Sequence, residues 1–192
     1  MKIEIRLVST SPLLMHNPRM VDPEYDLNRQ IKAITGKRKK TDEDLREIER
    51  LEWYGGLYEE NGVVVQPTSK VRKCLIEAAK IRKLGKAMEK ALSFTCLNVP
   101  LQYDGPKKID DLFADRQFHS RLSVGVQGKR VMRVRPQFNV WGMVLSGLFI
   151  PDVGLNFDEL SDLAETAGLT VGIGDNRVNG YGRFRGSVVE VK

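Results

Sequence analysis

Val63-Val64-Val65-Gln66-Pro67-Thr68-Ser69-Lys70-Val71-Arg72-Lys73-Cys74-Leu75-Ile76-Glu77-Ala78-Ala79 changes its period part-way along. Its first residues are β-branched and apolar, as a short strand requires, and Asn61-Gly62 ahead of them marks a turn. From Pro67-Thr68-Ser69 onward, Val71, Cys74, Leu75, Ala78 and Ala79 recur at helical spacing and form one apolar stripe. Lys70, Arg72, Lys73, Glu77 and Lys80 occupy the rest of that helix.

Upstream, Lys2 to Val8 alternates, with Ile3, Ile5 and Leu7 on one face, and Ser11-Pro12 stops this first strand. Residues 17–61 differ in composition and read as an insertion. Gly36-Lys37-Arg38-Lys39-Lys40 is basic and flexible. Thr41-Asp42-Glu43-Asp44 then resembles a capping box, and Leu45, Ile48 and Leu51 predict one helix behind it.

Downstream, Lys86 to Leu92 is a second helical piece and Ser93 to Gln102 a strand ended by Asp104-Gly105-Pro106. Residues 107–128 read as a polar loop. Lys129 to Arg135 is a strand whose antiparallel partner, across Pro136-Gln137, is Asn139 to Ile150. Leu160, Leu163, Ala164 and Ala167 predict a helix over Asp158–Ala167, capped by Gly168. Leu169–Ile173 and Arg183–Val191 are the last two strands. With the insertion set aside, the order is β-α-β-β-α-β. This is the α+β, ferredoxin-like plan, here one domain over 1–192. It places both helices on one side of an antiparallel sheet and leaves the other side open for a ligand, as in RNA-recognition domains.

The bulk properties narrow the function. The 192 residues suffice for one domain with a core and an insertion. A formal charge of +6 and a pI near 9.3 favour anionic partners, nucleic acid before membrane. The apolar run Val140–Pro151 is broken by Gly142, Ser146 and Gly147 and is too short to span a bilayer. Met1 to Arg6 has no signal-peptide character, so the cytoplasm is the expected compartment. Cys74 and Cys96 make no disulfide scaffold, and Cys74 reads as a small buried hydrophobe. No Cys/His cluster has zinc spacing, and neither metal nor cofactor is expected.

Three features carry chemistry. Thr170-Val171-Gly172-Ile173-Gly174-Asp175-Asn176-Arg177-Val178-Asn179-Gly180-Tyr181-Gly182-Arg183-Phe184 is a glycine-rich loop. The residues argue against a dinucleotide fingerprint, because Arg177 stands where the third glycine belongs and a strand follows rather than a helix. Two readings stay open. One is a plain glycine-rich hairpin. The other is a loop that holds a polyanion, with Gly172, Gly174, Gly180 and Gly182 admitting backbone, Arg177, Asn179 and Arg183 as donors, and Tyr181 as a stacking surface.

The second feature is Lys129-Arg130-Val131-Met132-Arg133-Val134-Arg135. Alternation turns Met132 and Val134 to the core and Arg133 and Arg135 to the opposite face, beside Lys129 at the strand start. Alanine at 133 and 135 is then expected to weaken anion binding and spare stability. The third is Lys70, Arg72 and Lys73 at a helix start, where cations oppose the macrodipole and a bound phosphate would relieve the conflict. A solvated charged face explains either of the last two as well. His16 and His119 are the candidate acid–base groups for a metal-independent ribonuclease. Asp22, Glu24 and Asp26 form an acidic cluster that either holds a metal or balances the basic run.

Three blocks together resemble the RAMP superfamily of CRISPR effector and crRNA-processing complexes. They are Lys2–Leu7 through Ser11-Pro12-Leu13, then Val65–Leu75, then Gly172–Phe184. The C-terminal half is also similar to small uncharacterised proteins of phage recombination and replication neighbourhoods. Those share an Arg-x-Arg-Pro-x-Phe-x-x-Trp segment, here Arg133–Trp141, and a Val-Gly-Ile-Gly-Asp run before Gly-Arg-Phe. The resemblance implies a ferredoxin-like, non-enzymatic binder of single-stranded RNA or DNA, with copies aligned along one strand. A crRNA-processing endoribonuclease and a structural or inhibitory subunit are the alternatives. Asp175-Asn176 departs from the family pattern, which has a basic residue early in the loop.

Overall fold

The computed structural model describes residues 1–126, 128–151 and 153–191, with the side chains of Val126 and Lys129 outside the description. The elements run β1 (Lys2–Ser9), β2 (Leu13–Leu14), α1 (Asp26–Thr35), α2 (Asp42–Gly56), β3 (Glu59–Glu60), β4 (Val63–Pro67), α3 (Thr68–Ile81), α4 (Gly85–Ala91), β5 (Leu92–Phe94), β6 (Asn98–Pro100) and α5 (Ile109–Ala114). They continue with β7 (His119–Val126), β8 (Lys129–Phe138), β9 (Gly142–Phe149), α6 (Phe157–Thr166) and β10 (Phe184–Val191). The chain divides into two compact units. One comprises Met1–Leu13, Val64–Asp104 and Asn139–Lys192, the other Leu14–Val63 and Gly105–Phe138. The expected insertion, 17–61, lies within the first segment of the second unit.

In the first unit β10, β1, β9 and β5 form an antiparallel sheet in that order. Counting only these strands with α3 and α6 gives β-α-β-β-α-β, and the spatial order fourth-first-third-second is the ferredoxin-like one. Alternation fixes the register, because a slip of one residue would expose Ile3, Ile5, Leu7, Met143, Leu145 and Phe149, all buried here. The apolar stripes of α3 (Val71, Cys74, Leu75, Ala78) and α6 (Leu160, Leu163, Ala164) are buried as well. Burial pushes the Cys74 thiol up to about 12, as befits a small core residue rather than a nucleophile. No helix among the described residues is long and apolar enough to cross a membrane.

Several sequence expectations give way here. Leu169–Ile173 is not a strand. Ala167–Val171 continues α6 as a wider helical turn, closed by Gly172 N–H donating to Ala167 O at 2.8 Å. Two glycines could have ended this helix. Gly172, at φ +72° with an extended ψ, adopts a backbone open to glycine and ends it, whereas Gly168 stays helical and packs on Phe184. Ser93–Gln102 is two short strands, β5 and β6, rather than one. Asn139–Ile150 is not the partner of Lys129–Arg135: β9 pairs with β1 and β5, and β8 pairs with β7, from His119↔Pro136 to Val126↔Lys129. Residues 107–128 are therefore not a loop, since they hold α5 and β7.

In the second unit the capping box appears as expected, with Thr41 Oγ1 accepting from Asp44 N–H and Asp44 answering to Thr41 N–H. A further helix, α1, precedes it. Only Ile31 of α1 is buried and no side chain caps its start, yet its residues are strongly amphipathic at helical spacing, a signal the reading of the insertion as one helix passed over. Trp53 on α2 is fully buried, donates Nε1–H to Phe118 O at 2.9 Å, and meets Tyr54, Phe113 and His119 ring to ring. Of the acidic cluster, Glu24 and Asp26 pair with Arg29, and Asp22 accepts from Glu24 N–H.

Gln66 on β4 is completely buried, and neither its side-chain oxygen nor its nitrogen has a hydrogen-bond partner among the described residues. Such a group forfeits its hydration without recompense. Gln66→Met, of similar length and without the amide, is expected to raise stability by about 1 kcal/mol, roughly 2–4 °C in melting temperature. A melting temperature that falls would show that the amide holds a water or partner of its own.

Candidate nucleic-acid interface

The glycine loop of the first unit is a built structure. Ile173 is buried and donates its N–H to Gly182 O, and Gly182 donates to Pro12 O at 2.7 Å. A Cβ on Gly182 would stand 1.7 Å from Ile173 O. Two of the glycines thus let the two sides of the loop touch each other, and do not face a ligand. Ser11, read from sequence only as a strand stop, is the latch. Its Oγ donates to Gly180 O and accepts Arg183 N–H, both at 2.8 Å, while its carbonyl accepts Trp141 Nε1–H.

Beyond this clasp the chain passes Gly174 and Asn176, both at positive φ, and makes one tight helical turn over Arg177–Asn179 before Gly180. Asn179 Nδ2 donates to Asn176 Oδ1 at 2.6 Å, which locks the turn. Val178 sits at its tip, 97% exposed. Sequence reading passed over this residue, whose signal was an apolar side chain between residues suited to left-handed backbone. Tyr181 is half-buried.

A cavity of about 570 Å³ opens on the loop, lined by Thr170, Val171, Gly174 through Val178, and Arg183. Arg177 reaches Glu77 of α3 at 2.8 Å, and Arg183 Nη2 donates to Arg177 O at 3.2 Å. Arg183 Nη1 is buried with no partner among the described residues. Glu77 was not foreseen. It offsets the charge of Arg177 and ties the loop to α3.

That tie recruits two more predicted cations. Lys70, Lys73 and Glu77 follow one another on a single face of α3, one turn apart, about 4.5 to 6 Å each along the axis. Both lysines are exposed. Arg72 is not part of this strip, because its guanidinium donates to Leu92 O and Glu89 O and closes the C-terminal end of α4.

Lys129, Arg133 and Arg135 belong to the other unit, and the Lys129 side chain lies outside the described residues. The expected register holds only in part. Val134 is buried, but Met132 is 51% exposed. Arg133 and Arg135 are half-buried rather than solvated. Arg133 pairs with the buried Glu52, whose second oxygen accepts Val134 N–H at 2.9 Å. Removal from water pushes the Arg135 guanidinium pKa down, with Arg133 adding to that and Glu52 opposing it.

The two histidines differ. His16 is exposed and its carbonyl accepts from Tyr58. His119 is stacked on Trp53 at 5.6 Å, its Nε2 lies 2.6 Å from Phe113 O, and its Nδ1 is buried with no partner among the described residues. Burial holds its pKa below the ordinary 6.5. The unfolded chain takes up a proton near pH 6.5 that the folded ring resists, so stability is full above about pH 7.5 and declines as pH falls through 6.5. In urea melts from pH 8 to 5, His119→Phe is expected to flatten that decline. An unchanged pH profile would mean that the ring is freely protonated.

No protein-family model matches the sequence, and no curated protein matches it. Solved structures do. The cryo-EM structure of the Type III-B Cmr-beta bound to cognate target RNA matches over 98% of this chain, with a TM-score of 0.50 at 12% identity. The match spans 60% of that neighbour's chain. The crystal structure of Cmr4 matches over the full length of both chains with a TM-score of 0.45 at 9% identity. The likeness is one of fold, the ferredoxin-like arrangement expected from the resemblance to RAMP proteins.

Proposed function

We propose that this chain, whose fold is RAMP-like, binds single-stranded RNA as a subunit of a nucleoprotein assembly. The observation that carries the reading is the strip on the first unit, in which exposed Lys70 and Lys73 run along α3 to the Glu77–Arg177 tie and the loop groove that holds Arg183. Permanent charge on a clasped loop suits a phosphate backbone, and exposed Val178 and half-buried Tyr181 each offer surface for unstacked bases. The Cmr-beta neighbour is bound to target RNA, and the net charge of +6 agrees with a polyanionic partner.

The test is affinity for matched RNA and DNA strands across a salt series. Lys70→Ala/Lys73→Ala is expected to leave the melting temperature unchanged and to reduce the log–log salt slope by about 1.4, from roughly 0.7 per phosphate contact on a single strand. An unaltered slope sinks the assignment of this strip, and equal affinity for DNA removes the preference for RNA.

Binding without cleavage is part of the proposal. His119 is held against a carbonyl between aromatic rings and disfavours the proton that an acid catalyst must carry. Labelled RNA incubated in EDTA is expected to stay intact. Site-specific cutting that disappears in His16→Ala would make the protein a nuclease.

A further inference from the structure

The second unit contains a cavity that the strip on the first unit does not use. It measures about 530 Å³, within the range of small-molecule sites. Its lining divides by chemistry. Met20, Val21, Ile31 and Val124 supply an apolar wall. Lys32 of α1 and Arg133 and Arg135 of β8 bring three cations against one carboxylate, Glu52. Concave sites with an excess of one sign of charge concentrate the opposite sign.

Glu52 gives the cavity its second character. It is 8% exposed, and its charge is supported by Arg133 and by Val134 N–H. Beside the cations stands an acceptor suited to N–H or O–H donors. Asn28 and Thr35 add neutral polar groups from α1. Gly125 also lines the space, and a Cβ built there meets nothing within 4 Å. Its Cβ would leave the sheet on the face opposite Val124, Arg133 and Arg135, so Gly125 borders the space with its backbone and Val124 is the strand residue whose side chain shares the face of the cations.

An occupant must carry a negative group, an apolar flat body and hydrogen-bond donors, and must fit a few hundred cubic ångströms. We propose that this cavity binds one nucleoside monophosphate unit, its phosphate toward Lys32 and Arg135, its base along the Met20–Ile31–Val124 wall, and its donors toward Glu52. The same chemistry arises from a free mononucleotide and from the 5′-phosphorylated end of an oligonucleotide. The inference does not depend on the RNA strip, which belongs to the other unit.

The full-length protein is titrated with AMP, UMP and inorganic phosphate, and binding is read by calorimetry and by melting temperature. AMP or UMP is expected to bind with a submillimolar Kd and to raise the melting temperature, with inorganic phosphate at least tenfold weaker. Val124→Trp, which enlarges the side chain on the strand face that carries Arg133 and Arg135 and so fills the space, is expected to abolish nucleotide binding with no change in the ligand-free melt. Should that variant fail to fold, Arg135→Gln gives the decisive measurement. It leaves the Glu52–Arg133 pair intact and is expected to weaken AMP at least tenfold. Affinity for long single-stranded RNA, read in parallel, stays at the wild-type value in both variants.

Competition separates the sources. Displacement of AMP by a 5′-phosphorylated decamer but not by its 5′-hydroxyl counterpart assigns the cavity to a strand end, and displacement by neither assigns it to free nucleotide. The proposal is overturned by the absence of nucleotide binding, by phosphate binding as tightly as AMP, or by full AMP affinity in Val124→Trp.

Discussion

Arg133→Ala is expected to destabilise the second unit by about 3 kcal/mol. The reason is Glu52, a carboxylate 8% exposed, which would lose the ion pair that complements its bond from Val134 N–H. A buried charge that loses its partner keeps the desolvation penalty and forfeits the compensation. The effect therefore exceeds that of deleting a surface cation, which is within about 0.5 kcal/mol. Arg133→Ala/Glu52→Gln is expected to recover at least half of the loss, because the amide oxygen can still accept from Val134 and no charge remains. Chemical denaturation of the single and double variants checks this. A single variant as stable as the wild type would refute the buried pair and restore Arg133 as a solvated cation.

Gly182→Ala carries the second large effect. Its φ of +69° disfavours any side chain, and the new Cβ would fall 1.7 Å from Ile173 O. One side of the loop must move, and with it the bonds Ile173 N–H to Gly182 O and Gly182 N–H to Pro12 O. A cost of about 3 kcal/mol is expected, together with a loss of RNA affinity greater than tenfold as the Arg177–Arg183 arrangement comes apart. Gly180→Ala is the control. It has φ +85° but meets nothing within 4 Å, so only the left-handed penalty applies, about 1–2 kcal/mol. Equal stability of the two variants would mean that the clasp is not closed in solution.

Patterns that close over a few residues were legible without coordinates. The alternation of Ile3, Ile5 and Leu7, the stripe Val71–Cys74–Leu75–Ala78 and the Thr41–Asp44 box each state their conformation locally. Their order supplied the ferredoxin-like plan. The glycine loop was legible as a special backbone because glycines and asparagine at such density have few other uses. What those glycines face was not. Whether Gly182 opposes a phosphate or Ile173 O depends on a return of the chain that local spacing does not encode.

The errors share that origin. His119–Val126, with its serines and glycine, has no strong strand signal and becomes a strand because β8 pairs with it. The wrong partner for β8 followed directly. Sequence by itself determined the locally patterned elements and the two-helix, antiparallel class of the first unit. Only tertiary structure decided that Arg72 caps a helix, that Arg133 is held by Glu52, and that Lys70 and Lys73 align with Arg177 through Glu77. A guanidinium has the same chemistry in each setting, and its role is set by the carbonyl, carboxylate or open groove that long-range packing brings within reach.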